Sequence, residues 1–367
     1  MNKIAFTLGA LLLPIVGSAL AAPASYTMAD FDKVEKIDAH LHLHNNSTTA
    51  FMQQARKDKF KVLAVNVDYA DFPPLEQQRR VAIALRRDYP LDAAFVASFS
   101  MVGFEQPGWA ERTVKGLEQD LAAGAVGVKV WKNIGMELRG ADGKLLTVQD
   151  PRLEPVFDFT IKHKISLLGH QGEPKNCWLP LEEMTVNNDR EYFKAHPHYH
   201  MYKHPEMPSY EAQMAARDGM LESHPDLRFV GMHMASLEWS VDELARFLDR
   251  FPTAKVDLAA RMGQLQYQSN LKYEHVRAFL IKYQDRLMYG TDLAQSSEQS
   301  DALFNKDADT VWRRDWRYFN TATSFKVPEL DQRVRGLALP KEVVDKIYRR
   351  NAEAQYPGAW QAAAKAK

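Results

Sequence analysis

The chain has 367 residues, with 47 Lys and Arg against 47 Asp and Glu, so its formal net charge is zero. Hydrophobic residues make up 46% and charged residues 26%, a balance that excludes a long disordered chain, a coiled coil and a collagen-like repeat. Even charge argues against nucleic acid as a partner, and a single cysteine, Cys177, excludes an internal disulfide and any multi-cysteine metal site.

At the start, Lys3 precedes an apolar stretch over residues 4–20, and Ala19-Leu20-Ala21 forms an A-x-A cleavage site. This predicts a signal peptide over residues 1–21 and a mature chain beginning at Ala22. An uncleaved anchor helix is the alternative, but Pro14 and Gly17 interrupt a segment already short of the roughly 20 apolar residues a span needs. No later segment is apolar enough to cross a membrane, so the expectation is export to a periplasm or the medium with no membrane attachment after cleavage.

Beyond that, apolar runs at residues 34–43, 61–67, 94–102, 125–131, 165–169, 227–233, 254–258 and 286–291 read as eight strands. Helical spacing follows at 75–87, 109–122, 210–223 and 240–250, where Ser240 and Glu243 form a capping box. Pro340 opens a closing helix before Pro357. Alternation of this kind predicts parallel βα units in one domain over 22–367, closed as a (β/α)8 barrel or open as a doubly wound sheet. Three connections, 132–149, 171–209 and 293–325, are too long for simple loops. Each follows a strand, and Trp178, Trp312 and Trp316 in them suggest a folded cap over the C-terminal face, where barrel enzymes place their chemistry.

The histidines carry the chemistry. In residues 36–44 strict alternation puts Asp38, His40, His42 and His44 on one face and Ile37, Ala39, Leu41 and Leu43 on the other. Two imidazoles at i, i+2 can bind one metal ion from a single strand end. His170, His233 and Asp292 end the fifth, sixth and eighth runs. A ring of His and Asp on four strand ends suits a mononuclear metal site in a barrel mouth.

The Asp38-x-His40-x-His42 opening and the Gly290-Thr291-Asp292 ending resemble the metal-dependent amidohydrolase superfamily, in its amidohydrolase-related branch of hydrolases, lactonases and decarboxylases. The likeness runs from Asp38 to Asn351-Ala352. It implies a distorted (β/α)8 TIM barrel with long loop insertions capping the C-terminal face. It further implies one divalent ion, zinc, held by His40, His42, His170 and Asp292, with His233 beside the attacking water or the substrate. Asp292 would take the proton from that water and return it to the leaving group. Lys129, on the fourth run, is left as a carboxylated bridge between two ions, as a charge facing an anionic substrate group, or as a barrel-filling lysine paired with a carboxylate such as Asp38. Glu173 is a substrate contact or a turn residue beside Pro174, and Arg261 an anion contact or a surface charge. His196, His198, His200 and His204 form either a second metal site or a Pro-rich cap segment.

The expected function is an exported metal-dependent hydrolase of a small amide, ester or lactone, with a small molecule as partner and a homo-oligomer allowed. Two alternatives stand beside it: a non-oxidative decarboxylase of an aromatic or cyclic carboxylic acid, and a non-catalytic metal- or ligand-binding barrel. Asp292 and His233 argue against the last, since a pure binder needs no base beside an open coordination position.

Overall fold

Each of the eight apolar runs becomes a strand in the computed structural model, which describes residues 24–44, 48–295 and 299–361. The expected signal peptide, residues 1–21, lies outside them. The strands are β1 (Lys36–His42), β2 (Phe60–Val65), β3 (Ala93–Ser98), β4 (Ala125–Val130), β5 (Ser166–Gly169), β6 (Arg228–Gly231), β7 (Lys255–Asp257), β8 (Leu287–Met288) and β9 (Leu293–Ala294). Their order in the sheet is β8-β7-β6-β5-β4-β3-β2-β1-β9, with every neighbouring pair parallel.

The ninth strand is the second half of the eighth. Gly290-Thr291-Asp292 interrupts one run, whose first half pairs with β7 and whose second half pairs with β1. The Ala39 N–H donates to the Tyr289 carbonyl at 2.9 Å, joining the first half to β1 as well. The sheet thus returns to its first strand, and the architecture is the (β/α)8 barrel rather than an open doubly wound sheet.

Strict alternation does not survive on the two strands that matter most. Against β2, the register of β1 shifts between Asp38 and Leu41. Ile37 and Ala39 then pack in the barrel interior, while Leu41 and Leu43 join the outer core under the helices. β4 shifts likewise against β3, so Val126 faces inward while Val128 and Val130 face outward. An extra residue in a strand re-aims its side chains, and such bulges recur beside active sites.

The helices cover the barrel largely where the periodicity places them, at Leu75–Asp88, Trp109–Ala122, Tyr210–Ser223 and Val241–Arg250. Ser240 caps the last, its Oγ accepting from the Glu243 N–H. The connection at 293–325 is a different matter. It holds a 20-residue helix, Asp301–Asn320, whose Trp312 and Trp316 are fully buried. Trp312 stacks on Phe60 at 4.2 Å between ring centres, and Trp316 Nε1 donates to the Thr27 carbonyl. These tryptophans belong to the outer wall and not to a cap. The closing helix begins at Lys341 after Pro340, passes through a wide π turn at Lys346–Arg350, and ends at Gln355. Tyr356 and Trp360 then fill the interior against Ile37, Leu63 and Val96.

The connection at 171–209 is a true cap. Its helix Asn187–Ala195 and several single turns enclose a small core of Met136, Cys177, Met184, Phe193 and Met201. Among the described residues no helix is long and apolar enough to cross a membrane.

Candidate active site

β1 delivers His40 and His42 to the C-terminal mouth with their rings 5.2 Å apart. Asp292 reaches them from the break between β8 and β9. Its Oδ1 lies 3.1 Å from both His40 Nε2 and His42 Nε2. The break is shaped for this contact: Asp292 takes a left-handed backbone with φ of 65°, and its N–H donates to the His40 carbonyl at 2.7 Å. Gly290 permits the close approach, because a Cβ there would lie 2.9 Å from the Cβ of His40. Behind the turn, the buried Asp38 carboxylate accepts from Thr291 Oγ1, the Thr291 N–H and Trp312 Nε1 at 2.7, 3.0 and 2.9 Å. Asp38 is therefore tied to Thr291 and Trp312, and the pairing considered for Lys129 does not form.

The proton positions follow from the partners. His42 Nδ1 sits 2.6 Å from the Val65 carbonyl, which can only accept, so the proton is on Nδ1. Burial pushes the His42 pKa down to about 4, leaving the ring neutral and Nε2 as a bare lone pair. That lone pair faces a carboxylate oxygen. His40 repeats the pattern with Nδ1 on Asp257 Oδ2 at 2.9 Å; burial opposes its protonation, but Asp257 and Asp292 outweigh this and raise its pKa. Burial likewise opposes ionisation of Asp292, while the imidazoles around it, His233 and His40 first, hold its carboxyl well below the usual range. Two imidazole nitrogens and a carboxylate oxygen converging on one point repel one another unless a positive charge sits among them. The donor set fits a divalent cation of the kind bound by nitrogen and oxygen.

His233 ends β6 at the mouth, its Nδ1 on the Ala259 carbonyl at 3.0 Å. Burial lowers its pKa to about 3, so it too is neutral with Nε2 free of the proton. His233 opens a run of four left-handed residues, His233 to Ser236, with φ of 56–57°. Each costs about 1–2 kcal/mol in an L-residue. Ser236 Oγ donates to the Gln171 carbonyl at 2.9 Å, and Tyr210 Oη donates to the Ser236 carbonyl at 2.5 Å, which fastens the run to the cap.

His40, His42 and Asp292 offer ligand atoms within 4.8 Å of one another, as do His40, His233 and Asp257. His170 joins neither set. Its ring lies 4.2 Å from that of His233, and its Nε2 is buried with no partner. Burial, with His233 beside it, drops its pKa well below the ordinary value.

A cavity of about 380 Å³ opens over these groups, lined by His42, His170, His233 and Asp292. Lys129, Glu173 and Arg261 all line it. Burial lowers the Lys129 pKa to about 8 against the pull of Asp292 and Asp257. Glu173 is neither free nor a plain turn residue, since it forms a buried ion pair with Lys132. Arg261 is buried rather than a surface charge, and its Nε has no partner. The aromatic wall comes from Tyr69, Phe72, Trp131, Tyr192 and Phe193, and Trp178 instead donates to the Pro208 carbonyl inside the cap. Three of the four cap histidines bind backbone: His196 Nδ1 to Tyr192 O at 2.9 Å, His200 Nε2 to Leu179 O at 2.8 Å and His204 Nε2 to Pro197 O at 3.1 Å, while the His198 ring packs on Tyr199. They serve the cap segment, and no metal-holding group forms among them in the described residues.

Sequence reasoning missed Asp257, Lys132 and most of the aromatic wall. Asp257 carried the same signal as Asp292, a carboxylate at the end of an apolar run.

A parallel barrel with imidazoles and a carboxylate converging at the C-terminal ends of its strands defines a class of enzymes that work around a cation. The amidohydrolase family profile matches residues 37–358, and the chain belongs to that family. No curated protein matches it. Among solved structures, 2,6-dihydroxybenzoate decarboxylase from Rhizobium is 14% identical, with a TM-score of 0.50 over 88% of this chain and 98% of that one. The same decarboxylase complexed with 2,6-dihydroxybenzoate gives 13% identity and a TM-score of 0.50, over the same shares of the two chains. An amidohydrolase 2 from Bifidobacterium longum subsp. infantis is 10% identical, with a TM-score of 0.43 over 88% of this chain and 99% of that one. The likeness to the decarboxylase, at these identities, is one of fold.

Proposed function

We propose that this amidohydrolase-family chain is a metal-dependent hydrolase of a small amide, ester or lactone, with one divalent ion, zinc, held by His40, His42, His170 and Asp292. The observation that carries the reading is the convergence of two imidazole nitrogens, His40 Nε2 and His42 Nε2, each 3.1 Å from Asp292 Oδ1. A divalent cation bound there supplies Lewis acidity to a carbonyl oxygen and lowers the pKa of water from 15.7 to about 7. The chain's own groups supply the rest. Asp292, 30% exposed to the pocket, accepts the proton of the attacking water and passes it to the leaving group. His233 holds its Nε2 as an acceptor towards that water. Lys129 and Arg261 orient an anionic group of the substrate, and the aromatic wall excludes solvent around it.

A second reading, non-oxidative decarboxylation of a carboxylated ring, is favoured by those two cations facing an aromatic wall. One experiment separates them. The purified protein is analysed for metal, then given lactones, esters, amides and aromatic carboxylic acids, with and without a chelator. The expected result is one ion per chain and hydrolysis that the chelator abolishes. Release of CO2 establishes the second reading, and full activity after metal removal overturns both. Export with cleavage after Ala21 belongs to the same proposal, and N-terminal sequencing of exported protein that began at Met1 would overturn it.

A further inference from the structure

Asp257, the last residue of the three-residue strand β7, does not line the pocket, yet its carboxylate reaches both halves of the site. It is 1% exposed. Oδ2 lies 2.9 Å from His40 Nδ1, on the ring that faces Asp292. Oδ1 accepts from the His233 N–H at 2.7 Å and from the Ala259 N–H at 3.2 Å. We propose that Asp257 is a positioning residue, which fixes the proton of His40 on Nδ1 and pins the start of the left-handed run that carries His233.

An ionised carboxylate can only accept hydrogen bonds. Oδ2 against Nδ1 therefore requires Nδ1–H, and in the neutral ring the lone pair is then on Nε2, the nitrogen a cation would use. His42 and His233 reach the same tautomer through the backbone carbonyls of Val65 and Ala259. At His40 a side chain does this work, and a carboxylate behind a ligating imidazole also raises its basicity. The other oxygen has a separate task. His233 and Ala260 both take left-handed backbones, with φ of 56° and 55°. Asp257 Oδ1 gathers the N–H of His233 and that of Ala259, the residue before Ala260, so one group braces two unfavourable turns. Its influence on metal binding rests on the metal-centre reading above; its influence on the His40 proton does not.

The test is Asp257→Asn, an isosteric change with a built-in direction. Two backbone N–H groups hold the amide oxygen, which turns the amide NH2 towards His40 Nδ1. That nitrogen must then accept, and the proton moves to Nε2. Zinc affinity should fall by about 10–100-fold, read by competition with a chromophoric chelator, and the visible spectrum of the cobalt-loaded protein should change. In metal-free protein at a pH where His40 is neutral, nitrogen NMR should show the His40 proton on Nδ1 in wild type and on Nε2 in the variant, with His40→Ala assigning the signal. Asp257→Asn should add little to the affinity loss of His40→Ala, because the two act as one unit.

Wild-type zinc affinity in Asp257→Asn, an unmoved His40 proton, or fully additive losses would each overturn the proposal. Should Asp257→Asn not fold, the wild-type spectrum alone decides, since a proton on Nε2 there refutes it. A wild type that binds no divalent ion sinks the metal-centre reading, and the NMR result still judges Asp257.

Discussion

Three histidines at the mouth have the same tautomer and different work. His40 and His42 turn their Nε2 atoms to Asp292, whereas His233 keeps its own over the pocket, so the cost of losing each should differ in kind. Replacing His42 by Ala should lose metal and activity together. Replacing His233 by Ala should leave most of the metal in place and lower activity by about 10²–10⁴-fold, as expected for a lost proton-transfer partner. Metal content and turnover of the two purified variants check this, and His233→Ala protein that has lost its metal would make His233 a ligand.

At the opposite end of β1, Lys36 is buried among Phe31, Phe60 and Trp316, and its Nζ donates to the carbonyls of Phe31 and Val34. Burial pulls its pKa down to about 7 against the opposing pull of Asp58 and Asp32. An unfolded lysine binds its proton up to about pH 10.4. Between these values the unfolded chain holds the extra proton, so this residue makes stability rise with pH from 7 to 10, by at most about 1.4 kcal/mol per pH unit. Below pH 7 it contributes no slope. Denaturant titrations at several pH values should show Lys36→Met flatter than wild type over that interval.

At the scale of elements, helix Asp301–Asn320 is tied to the site through Trp312. Trp312 Nε1 gives the buried Asp38 one of its donors. Trp312→Phe keeps a ring against Phe60 but leaves that acceptor short, at a cost of about 1–3 kcal/mol in unfolding free energy. The same helix shows where reading the sequence stopped short. Phe304, Ala308, Trp312 and Trp316 recur every four residues, an interior stripe, but among the many charged residues around them the segment reads as part of a folded cap. All eight strands were legible, because each is a short apolar run, and so were the His and Asp residues at four of their ends. The bulges in β1 and β4 were not. They depend on how neighbouring strands pair, and they send Ile37 and Val126 inward against the alternation. The partners of Glu173, Arg261 and the cap histidines were equally hidden, since each is set by a distant segment.

At the scale of the molecule, the two ends of the barrel are built separately. Chemistry occupies the C-terminal mouth, while Tyr356 and Trp360 fill the other end, with Trp360 Nε1 donating to the Val62 carbonyl at 3.0 Å. Trp360→Ala should destabilise the fold by about 3–5 kcal/mol, measured by denaturant unfolding. Metal content and turnover per folded molecule should stay at wild-type values; a parallel loss of metal would mean that the two ends are coupled.

The seam between β9 and β1 has a further consequence, for biosynthesis. His42 and Asp292 are 250 residues apart along the chain, and β1 has no neighbour on one side until β8 and β9 arrive. At about 5–20 residues per second, the first two histidines leave the ribosome roughly 10–50 s before the aspartate does. During that interval a passing cation meets two imidazoles on an unpaired strand edge, without the carboxylate that completes the set. On the metal-centre reading, capture of the ion would mark closure of the ring: a chain stalled before Asp292 should retain metal only weakly, however well its first strands have folded.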